Sequence, residues 1–222
     1  MTSWRLSAII GSFVALAAVA MLRAAPAPVA LPDPSADDGL ASRSSNVSIV
    51  IAGGCFWGIE ELYQHVRGVS DAVSGYSGGA ARDAKYNIVS LGTTGHAESV
   101  RVTYDPSKIS YGQLLKIFFS VAHDPTQRGG QGPDTGPQYR SVIFYSDDRQ
   151  KEIATAYLAQ LTATQAFKKS ITTQVVPLSA FYEAESYHQD YAVKNPWQPY
   201  IVMNDAPKVD ALRKAFPQIY VK

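Results

Sequence analysis

The chain predicts an α+β fold: a two-layer, plait-like α/β sandwich with helices packed on a mixed, mainly antiparallel sheet. Three observations point there. Strand-like and helix-like segments alternate, yet some neighbouring strands have only loops between them, which disfavours a doubly wound parallel sheet. Val47 to Ala52 is apolar without polar alternation, as in a central strand buried on both faces. His96 to Tyr104 alternates strictly, with Glu98, Val100, Val102 and Tyr104 on one face and Ser99, Arg101 and Thr103 on the other, as in a strand with two unlike faces.

The elements follow in order. Met1 to Arg5 is basic, Leu6 to Leu22 is uncharged and apolar, and small residues follow, with Ala18-Val19-Ala20 a suitable cleavage signal. Residues 1–25 therefore read as a secretory signal peptide or, if uncleaved, an N-terminal anchor. This places the folded part outside the cytoplasm, in a periplasmic or other extracytoplasmic space. Residues 26–45, rich in Pro, Ala, Ser and Asp, read as a disordered linker, and 46–222 as one catalytic domain. Phe56, Ile59, Leu62, Tyr63 and Val66 recur at helical spacing. Val69 to Tyr76 reads as a strand, and Ser77-Gly78-Gly79 opens a loop to about Gly95. After the alternating strand, Ser110 and Gln113 form a capping box before a helix. A Gly/Pro-rich loop runs from Asp124 to Pro137, long enough to suggest function. Ser141 to Tyr145 reads as a strand, Ser146 to Phe167 as a helix opened by Asp147 and Asp148, and Thr172 to Val176 as the last strand. Helices are expected near Glu183 to Val193 and Lys208 to Phe216.

Composition narrows the function. A net charge of +1 without a basic block gives no reason to expect nucleic acid. The single cysteine, Cys55, excludes an internal disulfide and a cysteine-rich zinc site. It lies in Gly54-Cys55-Phe56-Trp57-Gly58, between an apolar strand and an amphipathic helix. A thiol at a helix N-terminus faces free N–H groups and the positive dipole end, which favour the nucleophilic thiolate. Phe56 and Trp57 add an apolar wall. Glu98, on the apolar face of its strand, is poorly solvated, so its raised pKa suits a general acid. Tyr86 and Tyr139, beside the two glycine-rich loops, can donate hydrogen bonds to an oxygen gaining charge; Asp134 in the long loop is a cap or turn residue. Two other readings are a cysteine hydrolase pairing Cys55 with His96, and a secreted binding module stacking ligands on its aromatic residues.

Several stretches, in order, resemble the peptide-methionine (S)-S-oxide reductases, the A-type methionine sulfoxide reductases: Gly54-Cys55-Phe56-Trp57-Gly58, Gly75-Tyr76-Ser77-Gly78-Gly79, Gly95-His96-Ala97-Glu98, Tyr104-Asp105-Pro106, His123-Asp124-Pro125, Gln138-Tyr139-Arg140-Ser141, and Tyr187-His188-Gln189 before Lys194-Asn195-Pro196. The resemblance implies that Cys55 attacks the sulfoxide sulfur and becomes a sulfenic acid. It implies that Phe56 and Trp57 hold the methyl group, Glu98 protonates the oxygen, Tyr86 and Tyr139 hydrogen-bond to it, and Asp134 supports the site. The expected substrates are oxidised proteins or free methionine S-sulfoxide. No bound cofactor is expected. Many members carry further C-terminal cysteines; Trp197 to Lys222 has none. An external thiol (thioredoxin, glutaredoxin or a small thiol) is therefore expected to regenerate Cys55. A monomer is expected, touching a membrane only through an uncleaved N-terminal segment.

Overall fold

The computed structural model describes residues 29–222. The leader or anchor expected over 1–25 lies outside the described residues. The chain forms β1 (Val47–Ala52), α1 (Phe56–Gln64), β2 (Val69–Ser77), a one-turn α2 (Tyr86–Val89), β3 (Ala97–Tyr104) and α3 (Tyr111–Ile117). A small hairpin of β4 (Gly130–Gln131) and β5 (Asp134–Thr135) precedes β6 (Val142–Tyr145), α4 (Asp148–Ala163), β7 (Gln174–Pro177), β8 (Phe181–Glu183), a short α5 (Tyr191–Lys194) and α6 (Ala206–Ala215).

Six strands make one sheet in the order β7-β6-β1-β3-β2-β8. Every pairing in it is antiparallel except β6 with β7. The mixed, mainly antiparallel α+β sandwich expected from the sequence is the architecture observed. β1 and β3 are its central pair, which explains why β1 lacks polar alternation: Ile49 and Ile51 face the main core, while Val50 and Ala52 face a smaller cluster with Val142 and Phe144. The main core lies between the sheet and the helices, and it buries Val100, Val102, Ile59, Leu62, Leu114, Phe118 and Tyr157. Ser110 and Gln113 close the expected capping box on α3. Asp147 caps α4 by accepting from the Gln150 N–H at 2.7 Å.

Two expectations need correction. Residues 29–45 are not a loose linker but a strap laid over the helical layer. Leu31 is buried in the main core, and Pro32 accepts from the Tyr157 hydroxyl at 2.9 Å. Asp37 accepts from Ser110 Oγ and from the Gly112 N–H, joining the cap of α3, while Asp33 and Asp38 meet Lys116 and Arg149. The composition resembles a disordered segment because its few apolar and acidic anchors are spaced by small residues. Their partners lie about 80 to 125 positions away in the chain. The second correction concerns the helix expected near Glu183 to Val193. That stretch begins with strand β8 at the sheet edge and holds only the short turns before and within α5. The remaining helix, α4, stops at Ala163 rather than Phe167, where Gln165 takes a left-handed conformation with φ 50°.

Candidate active site

The sheet register brings the chemistry together. Ile51 on β1 sits opposite Val100 on β3 in antiparallel register, so the chain leaving β1 passes over the start of β3, where Glu98 stands. The turn between β1 and α1 requires Gly54: its φ is +105°, and a Cβ there would lie 2.7 Å from Gln131 Cγ. Cys55 then occupies the N-cap position of α1, and the N–H of Phe56 donates to Glu98 Oε2 at 3.1 Å. A carboxyl thus occupies the anion position at the helix N-terminus, directly beside the thiol.

Cys55, Phe56, Trp57, Tyr86, Glu98, Asp134 and Tyr139 line one cavity of about 210 Å³, together with Gln198 and Tyr200. All seven residues singled out in the sequence converge there. Each is positioned by a separate device. Tyr86 is held by Glu185, which accepts from the Tyr86 N–H at 2.9 Å and from the Tyr76 hydroxyl at 2.8 Å. Tyr139 ends a short turn stapled to β3 by Arg140, whose guanidinium donates to the carbonyls of Gly95 and His96. The Tyr200 hydroxyl donates to Asp134. Trp57 stacks on Tyr191 at 3.9 Å, and its indole N–H donates to His188 Nδ1 at 3.1 Å. That bond leaves the His188 proton on Nε2, which is buried without a partner.

The electrostatics differ from the simple sequence expectation. Cys55 is only 6% exposed. Burial, followed by the nearby Glu98 and Asp205 carboxyls, pushes its thiol well above the usual range, and Lys208 and the Trp57 N–H offset this only in part. The dipole of α1 therefore does not by itself produce a resting thiolate. Desolvation outweighs it because the sulfur has almost no contact with water. Glu98 is 2% exposed, and burial raises its pKa to about 8, aided by Asp134 and Asp205 and opposed by the Phe56 N–H. At neutral pH the site therefore rests as a neutral thiol beside a neutral carboxylic acid, as a general acid requires.

No histidine lines the cavity, which removes the main support for a cysteine–histidine hydrolase. His96 is tied to the backbone instead: its Nδ1 accepts from the Gly79 N–H at 3.2 Å, and its Nε2 lies 3.0 Å from the Ala80 carbonyl. His123 is half-buried and held by the Phe118 carbonyl and Ser141 Oγ, with its pKa pushed down by desolvation to about 4.

Sequence reasoning missed Tyr200, Gln198, Tyr191, Glu185 and the buried Asp205–Lys208 ion pair, with its 3.0 Å contact. A Cβ on Gly58 would strike both members of that pair, so α6 packs directly against the first turn of α1. Their signal was faint: the residues come from turns and from the last helix, where spacing carries no chemistry. His188 stood inside a recognised motif, yet only the fold places it on Trp57.

Comparison with known proteins agrees with this geometry. The profile of the family described as peptide methionine sulfoxide reductase matches residues 47–219. The chain is 56% identical over 171 residues to the peptide methionine sulfoxide reductase MsrA 2 of Mesorhizobium japonicum, covering 77% of this chain and 88% of that one. It is 50% identical over 188 residues to the protein of the same name in Synechocystis, covering 84% and 88%. Among solved structures it is similar to reduced Mxr1 from Saccharomyces cerevisiae, with TM-score 0.61 and 33% identity over 74% of this chain and 92% of that one. It is also similar to methionine sulfoxide reductase A of Corynebacterium diphtheriae, with TM-score 0.59 and 35% identity over 79% and 89%. A family match from β1 to beyond α6, and a cavity holding a thiol, two carboxyls and three phenols, make this chain a member of the peptide methionine sulfoxide reductase family.

Proposed function

We propose that Cys55 is the nucleophile that takes the oxygen from methionine S-sulfoxide, with Glu98 as its proton donor. The observation that carries this reading is the enclosure of thiol, acid and phenols in one small cavity with Phe56 and Trp57. The sulfoxide methyl group packs against those two rings, and the oxygen meets Glu98, Tyr86 and Tyr139. A sulfoxide sulfur is electrophilic, but oxide is a poor leaving group. Glu98 gives its proton to the oxygen as the sulfur of Cys55 attacks, and the thiol proton replaces it on the carboxylate. The hydroxyl then passes from the methionine sulfur to the Cys55 sulfur as the bond between the two sulfurs breaks: the thioether is released as methionine, and Cys55 is left as sulfenic acid. Proton and oxygen counts close without a bound cofactor.

Asp134 supports the site through Tyr200, and Trp57 is fixed by Tyr191 and His188. With unlike walls the cavity should admit one sulfoxide epimer, and the family resemblance implies the S form. An external thiol then attacks the sulfenic acid, releasing water and forming a mixed disulfide, which a second thiol resolves. A thioredoxin, a glutaredoxin or a small thiol meets this chemical requirement, and the reaction repairs oxidised methionine in proteins.

One turnover in the absence of thiol tests the mechanism. Equimolar methionine S-sulfoxide is expected to yield one methionine per enzyme and a mass increase of one oxygen at Cys55. Methionine formed with Cys55 left unmodified would exclude oxygen transfer to this sulfur.

The reading also assigns the enzyme to an extracytoplasmic compartment, supported by the basic, apolar and small-residue order of residues 1–25. The mature protein recovered from cells is expected to lack this leader in its intact mass, or to fractionate with membranes if it keeps it. A full-length chain in the cytosolic fraction would refute export.

A further inference from the structure

A second, larger cleft of about 730 Å³ adjoins the reaction cavity, and Asp134 belongs to the walls of both. Its walls come from the Thr126–Thr135 segment on one side and Lys169 and Ser170 on the other. It is built rather than incidental. The Thr172 N–H and hydroxyl bond the Pro125 carbonyl, and the same hydroxyl reaches the Gln127 carbonyl, which pins one wall to the other. The Gly132 N–H donates to Gln127 Oε1 at 2.8 Å, and the Gly136 N–H to the Gly129 carbonyl at 2.9 Å, so the β4–β5 hairpin is braced from within.

The cleft walls carry two cations, Arg128 and Lys169, against one carboxyl, Asp134. The nearby carboxylates are already engaged: Asp134 by the Tyr200 hydroxyl, and Asp124 by the Thr126 N–H and hydroxyl and by Gln127. Arg128 and Lys169 are exposed, and neither makes an ion pair among the described residues. Two free cations in a cleft that shares the Asp134 wall with the sulfoxide cavity match anionic groups on a chain that carries the sulfoxide.

We propose that this cleft is a binding site for the polypeptide flanking an oxidised methionine, and that Arg128 and Lys169 select acidic side chains in that flank. The proposal rests on the reductase reading of the Cys55 cavity and adds to it a substrate class: protein-bound methionine sulfoxide in an acidic context. The reaction cavity, at about 210 Å³, holds the oxidised side chain, and the backbone on one side of it leaves through the cleft. Because both cations are exposed, the preference is modest and screened by salt.

The test compares three substrates: N-acetylmethionine S-sulfoxide, and two capped pentapeptides with the same central residue flanked on both sides by pairs of glutamates or pairs of lysines. For the native enzyme at low ionic strength, kcat/KM is expected to be about three- to tenfold higher for the glutamate peptide, with the difference in KM. High salt should remove it. The Arg128→Glu, Lys169→Glu double variant should erase or invert the preference while turning over N-acetylmethionine S-sulfoxide at the native rate. Equal use of both peptides by the native enzyme would overturn the proposal, as would a preference that survives the double variant. Loss of all three activities in the variant would overturn it too, because the cleft would then not act separately from the reaction site. Failure of the native enzyme on N-acetylmethionine S-sulfoxide would instead strike the reductase reading itself.

Discussion

Cys55→Ser is expected to abolish turnover while leaving the fold and substrate binding nearly intact. Replacing sulfur by oxygen swaps one atom for a smaller one at a buried position and keeps a donor at the same place. The chemistry is lost more completely than in most nucleophile exchanges. A serine hydroxyl beside a carboxylic acid is not ionised, and it has no accessible oxidation state in which it could accept the oxygen. Removing the nucleophile of a covalent mechanism costs on the order of 10⁶ in kcat in a well-dissected enzyme, and the loss here should be limited only by assay background. Stopped assays of methionine formation measure the loss, and fluorescence of Trp57, stacked on Tyr191 beside the cavity, follows binding. If the variant retains even one part in a hundred of the native rate, the oxygen acceptor is not this sulfur. If it retains all function, the chain is acting as a binding module.

Glu98→Gln should have the next largest effect, and its sign with pH is specific. The carboxyl must be protonated to act, and burial raises its pKa to about 8. The native kcat/KM is therefore expected to hold at neutral pH and to fall as pH climbs through about 8 and the proton is lost. General acid catalysis contributes about 10² to 10⁴ in rate. The amide can still donate a hydrogen bond to the sulfoxide oxygen, so the loss should lie near the lower end of that range and well short of the Cys55→Ser effect. In the variant the decline centred near pH 8 should vanish, because no proton remains to be lost at that position. A pH–rate profile of both proteins decides it. An unchanged alkaline decline in Glu98→Gln would assign the proton to another group, with the phenols Tyr86 and Tyr139 next in line in the same cavity.

Burial accounts for both expectations. The apolar setting that keeps the Cys55 thiol neutral at rest also keeps Glu98 protonated, so the free enzyme holds no charged, oxidation-prone thiolate. Charge appears only when a sulfoxide accepts the proton. The offsetting cation is Lys208 on α6, held in place by Asp205 just before that helix.

The sequence by itself determined the classes of residue and the local geometry of the site. Period-two alternation put Glu98 on the buried face of β3. The strand-to-helix junction put Cys55 at the start of α1, and the Gly-Cys-Phe-Trp-Gly stretch carried the family resemblance. These are short-range properties, fixed within a few residues by backbone sterics and side-chain pattern. The tertiary structure alone decided what depends on distant partners. It turned residues 29–45 into a strap, because their anchors meet α3 and α4 only after folding. It made residues 181–183 an edge strand, because β2 offered an unpaired edge. It recruited Tyr200 to the cavity wall, set His188 behind Trp57 and placed Lys208 against the first turn of α1, all from turns and a late helix. It also set the protonation of Cys55, since a pKa is governed by how much water and charge surround a group, and those neighbours are assembled from the whole length of the chain.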